Sequence, residues 1–293
     1  MQKPIAISAP VPQGFIQREL RFEFAGAVVG KLKVTGLRAL ANVQAVSGRL
    51  GVSAQVRIWG LSLEEMNLYS STLSAGVGVN EFTLVAEAGD LGGSMHKVID
   101  GTIWRSYIDF GDAPESSFVV NMVDQVYKSA KMIQSNSWPG AQNAEDMIAA
   151  VCAAAGYTFI NYGAHAVLRN MSTYGSAIDQ IDDIARAAKF SLYLEGDKVW
   201  IWKQNTPIDA VIIETGPDAG MVGHPQYWEA GLIITMLYNP DVRVGRMLKV
   251  TSSIPKANGT WSIIQVNHDL GTMFHGAPWF TTAIVSKSIS EVL

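Results

Sequence analysis

The sequence predicts a mainly β protein, with two antiparallel β-barrel or sandwich domains and a small α+β module between or interleaved with them. Three observations carry that reading. Apolar and polar residues alternate with period two through Leu20, Phe22 and Phe24, and again through Val52, Ala54, Val56 and Ile58, the mark of strands buried on one face. From Leu232 to Lys287, β-branched and aromatic runs are broken by Asn239-Pro240, Pro255, Asn258-Gly259, Gly271 and Pro278, turn signals with known backbone reasons. Between these regions the apolar period changes to that of helices, near 143–155 and 176–188.

A chain of 293 residues exceeds the size at which a single core keeps growing, so two or three domains are expected. Charged residues make up 16% of the chain and apolar residues 48%, against roughly 25% charged in an average soluble protein. Much of such a surface is expected to be covered. No run reaches the ~18 apolar residues of a membrane span, the longest candidates being Met147–Ala155 and Leu232–Tyr238. The surplus therefore points to contacts between subunits. A formal charge of −4 argues against a dedicated nucleic-acid binder, which needs a basic face to neutralise phosphate, but it suits a wall past which DNA slides without sticking. One cysteine, Cys152, excludes an intrachain disulfide, and within AAVCAAAG it reads as a small buried apolar residue. The opening MQKPIAISAPVPQG has prolines where a signal peptide needs an unbroken apolar run, so folding in a cytoplasm is expected.

Taken in order, residues 1–14 are proline-rich and expected to be extended. Leu20, Phe22 and Phe24 form the inner face of a strand, with Glu19, Arg21 and Glu23 outside, and Gly26 to Leu37 reads as its hairpin return. The clearest alternation runs from Arg49 to Trp59, placing Leu50, Val52, Ala54, Val56 and Ile58 inside and Trp59 outside. Ser62 is placed to cap a short helix, Leu63 to Ser71, with Glu64 and Glu65 where the helix dipole favours acids. Strands follow at 81–88, 97–109 and 117–126, separated by glycine loops. Lys128 to Gly140 reads as irregular. Asn143 is placed to cap a helix running through Met147, Ile148, Val151 and Cys152 to a stop at Gly156. Ser176 with Asp179 makes a capping-box start for a second helix, whose Ile178, Ile181, Ile184, Ala185 and Ala188 form one apolar stripe. Phe190–Leu194 and Lys198–Lys203 form a hairpin across Glu195-Gly196-Asp197, and Thr206-Pro207 marks a boundary before a strand at 210–214.

The stretch from Leu232 reads as an antiparallel meander. Asn258-Gly259 can supply the positive φ values of a type I′ turn, joining a strand that ends near Ile254 to one that begins at Thr260 or Trp261. In that next strand Trp261, Ile263 and Gln265 point one way and Ile264, Val266 and His268 the other, so cover is expected on both faces.

Residues that could carry chemistry are few. His96, His165, His224, His268 and His275 show no zinc-ligand spacing, and there is no second cysteine. His268-Asp269 with His275 is the nearest approach to a cluster and reads as a turn or interface feature. Ser94-Met-His-Lys97 matches the S-x-x-K of serine acyl-enzymes but lacks the two companion motifs those enzymes need. Asp179, Asp182, Asp183, Glu64 and Glu65 could be imagined as hydrolytic carboxylates, yet they sit where helix starts and solvated faces ordinarily carry acids. No phosphate-binding glycine motif follows a strand. No catalytic residue, cofactor or metal site is therefore assigned. Eight tryptophans are many for a chain so poor in charge, and exposed ones would serve as interface anchors.

Val242-Arg243-Val244-Gly245 with Lys249-Val250, then Gly259-Thr260-Trp261-Ser262-Ile263, then Val266-Asn267-His268-Asp269-Leu270-Gly271 and a last strand from Trp279 to Ser286 resemble the C-terminal part of bacteriophage baseplate hub proteins of the late-control type. The earlier run of strand, Gly-Leu, short helix and strand ending Glu87-Ala88-Gly89, then Asp100-Gly101-Thr102-Ile103, is similar to the first tail-tube-like domain of that family. The resemblance implies two tail-tube-like β domains per chain and a trimeric ring with pseudo-sixfold symmetry, joining the hexameric tail tube to the trimeric central spike. It also implies a virion baseplate component, assembled in the host cytoplasm, with other baseplate proteins as neighbours and DNA only passing through an axial channel. The expected division is a first tube-like domain at 1–127, the α+β module at 128–205 and a second tube-like domain at 206–293, continuous or split in sequence. Arg243 and Arg246 are the interface candidates. Two rival readings stand beside this one: a tail-borne cell-wall hydrolase, which would need a pocket holding the acids named above, and a carbohydrate-binding β module, whose tryptophans would line a groove.

Overall fold

The computed structural model describes residues 5–8, 17–26, 29–72, 82–111, 113–124, 132–229 and 231–287. The first part of the chain contributes β1 (Ile5–Ser8), β2 (Arg18–Gly26), β3 (Gly30–Thr35), β4 (Ala39–Val46), β5 (Gly51–Trp59), α1 (Leu63–Leu68), β6 (Ser71–Thr72), β7 (Phe82–Asp90), β8 (Met95–Asp109) and β9 (Ser117–Val123). The middle contributes β10 (Asn136–Asn143), α2 (Ala144–Ala155), β11 (Thr158–Tyr162), β12 (Val167–Thr173), α3 (Ala177–Ala188), β13 (Phe190–Glu195) and β14 (Lys198–Lys203). The last part holds β15 (Val211–Thr215), β16 (Gln226–Trp228), β17 (Gly231–Leu237), β18 (Met247–Val250), β19 (Gly259–Thr272) and β20 (Trp279–Ser286).

Among the described residues fifteen strands hydrogen-bond into one sheet, along the path β1-β15-β18-β19-β4-β5-β9-β8-β7-β2-β3, with β20, β17 and β16 continuing from the other side of β19 and β6 pairing with β8. Pairing is mostly antiparallel, but β1 with β15 and β15 with β18 are parallel. The spine is β19. One edge pairs with β18, where Val250 lies opposite Gly259, and further on with β4, where Val46 lies opposite Gln265, while the other edge pairs with β20.

At the changeover between those partners Ile264 is inserted as a bulge, so the buried face passes from Trp261 and Ile263 to Val266 and Leu270. The unbroken alternation expected through 261–268 is thereby corrected, since one extra residue inverts the faces beyond it. Ile264 is not left idle, for its carbonyl accepts the Ser47 N–H at 3.0 Å.

The C-terminal strands differ from a simple meander in two further ways. β17 pairs with the last strand, β20, and not with β18, which follows it in sequence. Asn258-Gly259 is no type I′ turn: Asn258 has φ −68° and ψ 145°, and a 3₁₀ turn at Pro255–Ala257 precedes it. The Asn258 side-chain carbonyl accepts the Ser252 N–H at 2.6 Å and the Trp261 indole donates to Ala257 O at 2.9 Å, so the loop is closed by side chains and needs no positive φ at Asn258.

The first part follows the alternation closely. Leu20, Phe22, Phe24, Val52, Ala54, Val56 and Ile58 are all buried. Two residues break the pattern at the ends of β5. Leu50 precedes the strand and is 71% exposed, whereas Trp59, expected outside, is 7% exposed because the Arg38 and Arg57 guanidinium groups lie 4.4 and 5.7 Å from its ring. Ser62 caps α1 with a reciprocal Glu65 capping box, and the helix stops at Leu68, three residues short of the expected end.

The middle part has its own core, where Met147, Ile148, Val151 and Cys152 of α2 and Ile178, Ile181 and Ile184 of α3 meet Leu192, Leu194, Val199 and Ile201. Each such side chain removed from water contributes about 1.5–3 kcal/mol. Ser176 and Asp179 form the expected capping box, and Gly156 ends α2 at φ +80°. Asn143 precedes α2 without capping it, its amide being turned onto Asp146 Oδ2 at 2.8 Å. Residues 136–140, expected irregular, begin β10, which pairs with β12, while β11 pairs parallel with β14. These strands carry little apolar alternation, so no period-two signal marked them.

The hairpin β13–β14 belongs to two cores. Leu192, Leu194, Val199 and Ile201 face the helices, while Tyr193 and Trp202 are buried in the core under the large sheet. Successive strand residues point to opposite faces, so one hairpin is the wall between module and sheet.

Candidate functional site

Arg243 and Arg246 lie on the loop between β17 and β18, and the structure gives them different surroundings. The loop starts with an Asx turn in which Asn239 Oδ1 accepts the Asp241 N–H at 2.9 Å. Arg246 reaches back across it, its Nε donating to Asp209 Oδ2 at 2.9 Å and its Nη1 to the Asp241 carbonyl at 2.8 Å. Its side chain is 16% exposed. Arg243 is exposed, donates to the Pro240 carbonyl at 3.4 Å, and lines a cleft at the foot of the α+β module.

His268 sits beneath this loop. Its Nδ1 is 2.9 Å from Thr281 Oγ1, and Tyr238 meets its ring edge-on with centroids 5.2 Å apart. Burial, with the positive charge of Arg243 added, pushes the imidazole down to about 4. The other histidines lie elsewhere. His165 pairs with Glu145, and His96, His224 and His275 are exposed. Among the described residues no group of three or more histidines, cysteines or acids is placed to hold a metal.

The acids considered for hydrolysis are occupied in helix architecture. Asp179 accepts from Ser176 and pairs with Arg49 at 3.3 Å, and the capping hydrogen bonds hold its carboxyl below the usual range. Asp182 and Asp183 both pair with Arg186, at 2.9 and 3.1 Å. Glu65 is likewise held low by Ser62. Ser94 stands in the β7–β8 turn and Lys97 within β8, where it pairs with Asp100 at 3.1 Å.

The cleft that Arg243 lines has a volume of about 700 Å³ and lies between β8, the end of β9 and the β13–β14 turn. Asp124 is its distinctive residue. The carboxyl accepts the Gly196 N–H at 3.0 Å, yet burial and neighbouring Glu195 outweigh that bond and push it up to about 7. Sequence reasoning passed over Asp124, because an acid just after an apolar strand carries no motif and its surroundings come from a turn 72 residues away. Of the tryptophans, Trp202, Trp261 and Trp279 are core, Trp200 stacks on Tyr162 at 5.6 Å, and Trp104 and Trp228 are 40% and 43% exposed.

The chain is similar to known tail proteins along nearly its whole length. The tail protein from Neisseria meningitidis MC58 superposes with a TM-score of 0.62 at 9% identity, covering 92% of this chain and 96% of the other. The 43 kDa tail protein of prophage MuSo2 from Shewanella oneidensis gives 0.59 at 9% identity, covering 92% and 98%. The E. coli c3393 protein, described as a type VI secretion component with structural similarity to the T4 tail proteins gp27 and gp5, gives 0.57 at 9% identity, covering 90% and 76%. At these identities the likeness establishes the fold. No curated protein matches the sequence itself. The family model "Baseplate hub gp41" matches residues 36–285, and the chain therefore belongs to that baseplate hub family.

Proposed function

We propose that this chain is a non-enzymatic hub of a phage tail or tail-like particle, three copies of which close into a ring between the hexameric tail tube and the trimeric central spike. The observation that carries this is the hub-family match over residues 36–285. The large sheet supports it, since it ends on β3 at one side and on β1 and β16 at others, strands with an outer edge unpaired among the described residues. Such edges invite further pairing, and ring closure would cover them. In this reading the tube-like units span 1–127 and 206–293 around the module at 128–205. The pairing of β1 with β15 supports a last unit that is split in sequence. Arg243 is the more available interface cation. Other baseplate proteins surround the ring in the virion, it assembles in the host cytoplasm, and its weakly charged axial wall lets DNA pass.

Multi-angle light scattering on the purified full chain tests the reading. A particle of three times the 31.7 kDa chain mass is expected. A monomer that persists at tens of micromolar and stays monomeric with the tube protein added would overturn it.

A further inference from the structure

Two parts of the large sheet repeat one another strand by strand. In the first, β4 pairs with β5, β5 with β9 and β9 with β8. In the second, β16 pairs with β17, β17 with β20 and β20 with β19. The registers coincide to the residue. Ser53 lies opposite Gln44 and Val123, and Val123 opposite Thr102. Gly231 likewise lies opposite Trp228 and Ser286, and Ser286 opposite Ser262. Two residues beyond Thr102 and Ser262 each long strand carries a one-residue bulge, Trp104 in β8 and Ile264 in β19. β8 therefore corresponds to β19, and β16 to β4.

One junction joins the two repeats. Past its bulge, β19 pairs with β4, placing Gln44 opposite Asn267, Val43 opposite His268 and Asn42 opposite Asp269. There the Asn42 amide donates to Asp269 Oδ1, and Val43 is buried. The corresponding edges stand open at the two ends of the run β8-β9-β5-β4-β19-β20-β17-β16. Among the described residues, β16 is paired on one side alone, and on the outer edge of β8 the short β6 reaches only Ser106, leaving Tyr107 to Asp109 without a ladder partner there.

We propose that β16 of one copy docks antiparallel on the Tyr107–Asp109 edge of β8 in the next copy, repeating the β4–β19 junction between chains. The register carries over from that junction: Trp228 opposite Tyr107, Tyr227 opposite Ile108 and Gln226 opposite Asp109. The side chains suit these places. Tyr227 takes the position of buried Val43 yet is 60% exposed in the single chain, an aromatic surface that the neighbouring copy covers. Gln226 offers Asp109 the amide that Asn42 gives Asp269. The Asp109 oxygens accept one bond each, from Arg57 and from the Gly111 N–H, and each has a further lone pair. Each copy supplies one edge of either kind, the heterologous contact from which rings are built. The proposal rests on the ring reading above and names the edges and the register that close it.

Disulfide trapping in the full chain reads that register, with buried Cys152 left in place. Under mild oxidation, Trp228→Cys combined with Tyr107→Cys should give linked dimers and trimers on non-reducing denaturing electrophoresis. Trp228→Cys with Ile108→Cys should give about tenfold less, since neighbouring strand residues face opposite sides of the sheet. Tyr227→Lys, at a site exposed in the single chain, should keep the natural circular dichroism spectrum while light scattering falls to the mass of one chain; it serves also if the cysteine pair does not assemble. Three results would overturn the proposal and leave the hub reading standing: trimers in which the 228–107 pair does not link, equal linking by the 228–108 pair, or a Tyr227→Lys chain that stays trimeric. A natural chain that remains monomeric with the tube protein added would overturn both.

Discussion

Thr281 ties the ring of His268 to the start of the loop that carries Arg243. Thr281 is fully buried, and its Oγ1 accepts the Asn239 N–H at 3.1 Å and lies 2.9 Å from His268 Nδ1. The depressed titration of the ring, near 4, keeps that imidazole neutral at neutral pH.

Acid should weaken the fold through this pair. A histidine whose folded value lies below its unfolded one contributes stability above about pH 6.5 that is lost as pH falls toward 4. The ring is only partly buried, so the loss is at most about 3 kcal/mol. Urea denaturation at intervals between pH 4 and 7 should show His268→Asn with a shallower acid slope than the natural chain.

Arg246→Ala should destabilise the chain by about 2–4 kcal/mol, because it strands the Asp209 carboxylate and the Asp241 carbonyl together. Arg243→Ala, whose one hydrogen bond is long and exposed, should change stability by less than about 1 kcal/mol. Chemical denaturation of both variants separates a clamp inside the chain from a cation free to meet a partner.

Gly245 combines φ +87° with close approach to the module wall, where a Cβ would stand 3.0 Å from Trp202 Cζ2. Gly245→Ala should therefore cost about 1–3 kcal/mol, from backbone strain and overpacking together. Near-ultraviolet circular dichroism should show the Trp202 environment altered in the same variant.

Cys152 is fully buried in the helical core, and burial pushes its thiol up to about 12. A thiol-specific reagent at pH 8 should leave it unmodified in the native chain and modify it once denaturant exposes it. Rapid labelling under native conditions would contradict the packing of α2.

The helices and the first strands were legible in the sequence because their signals are local. Ser62, Ser176 and Gly156 announce helix ends through hydrogen bonds within three or four residues, and Phe22, Phe24, Val56 and Ile58 announce strand faces through the pleat. The resemblance to tail hubs rested on such patterns and agrees with the family match.

What the sequence determined by itself was composition, the type of the elements with strong local periodicity, and the family. Tertiary structure alone decided that β17 pairs with β20, that β19 bridges β18 and β4 across a bulge, and that Asp124 faces the Gly196 turn. The physical reason is range. Capping and pleating act over a few residues, whereas strand partners and the burial of a carboxyl are set by segments brought together only when both cores close around the β13–β14 wall.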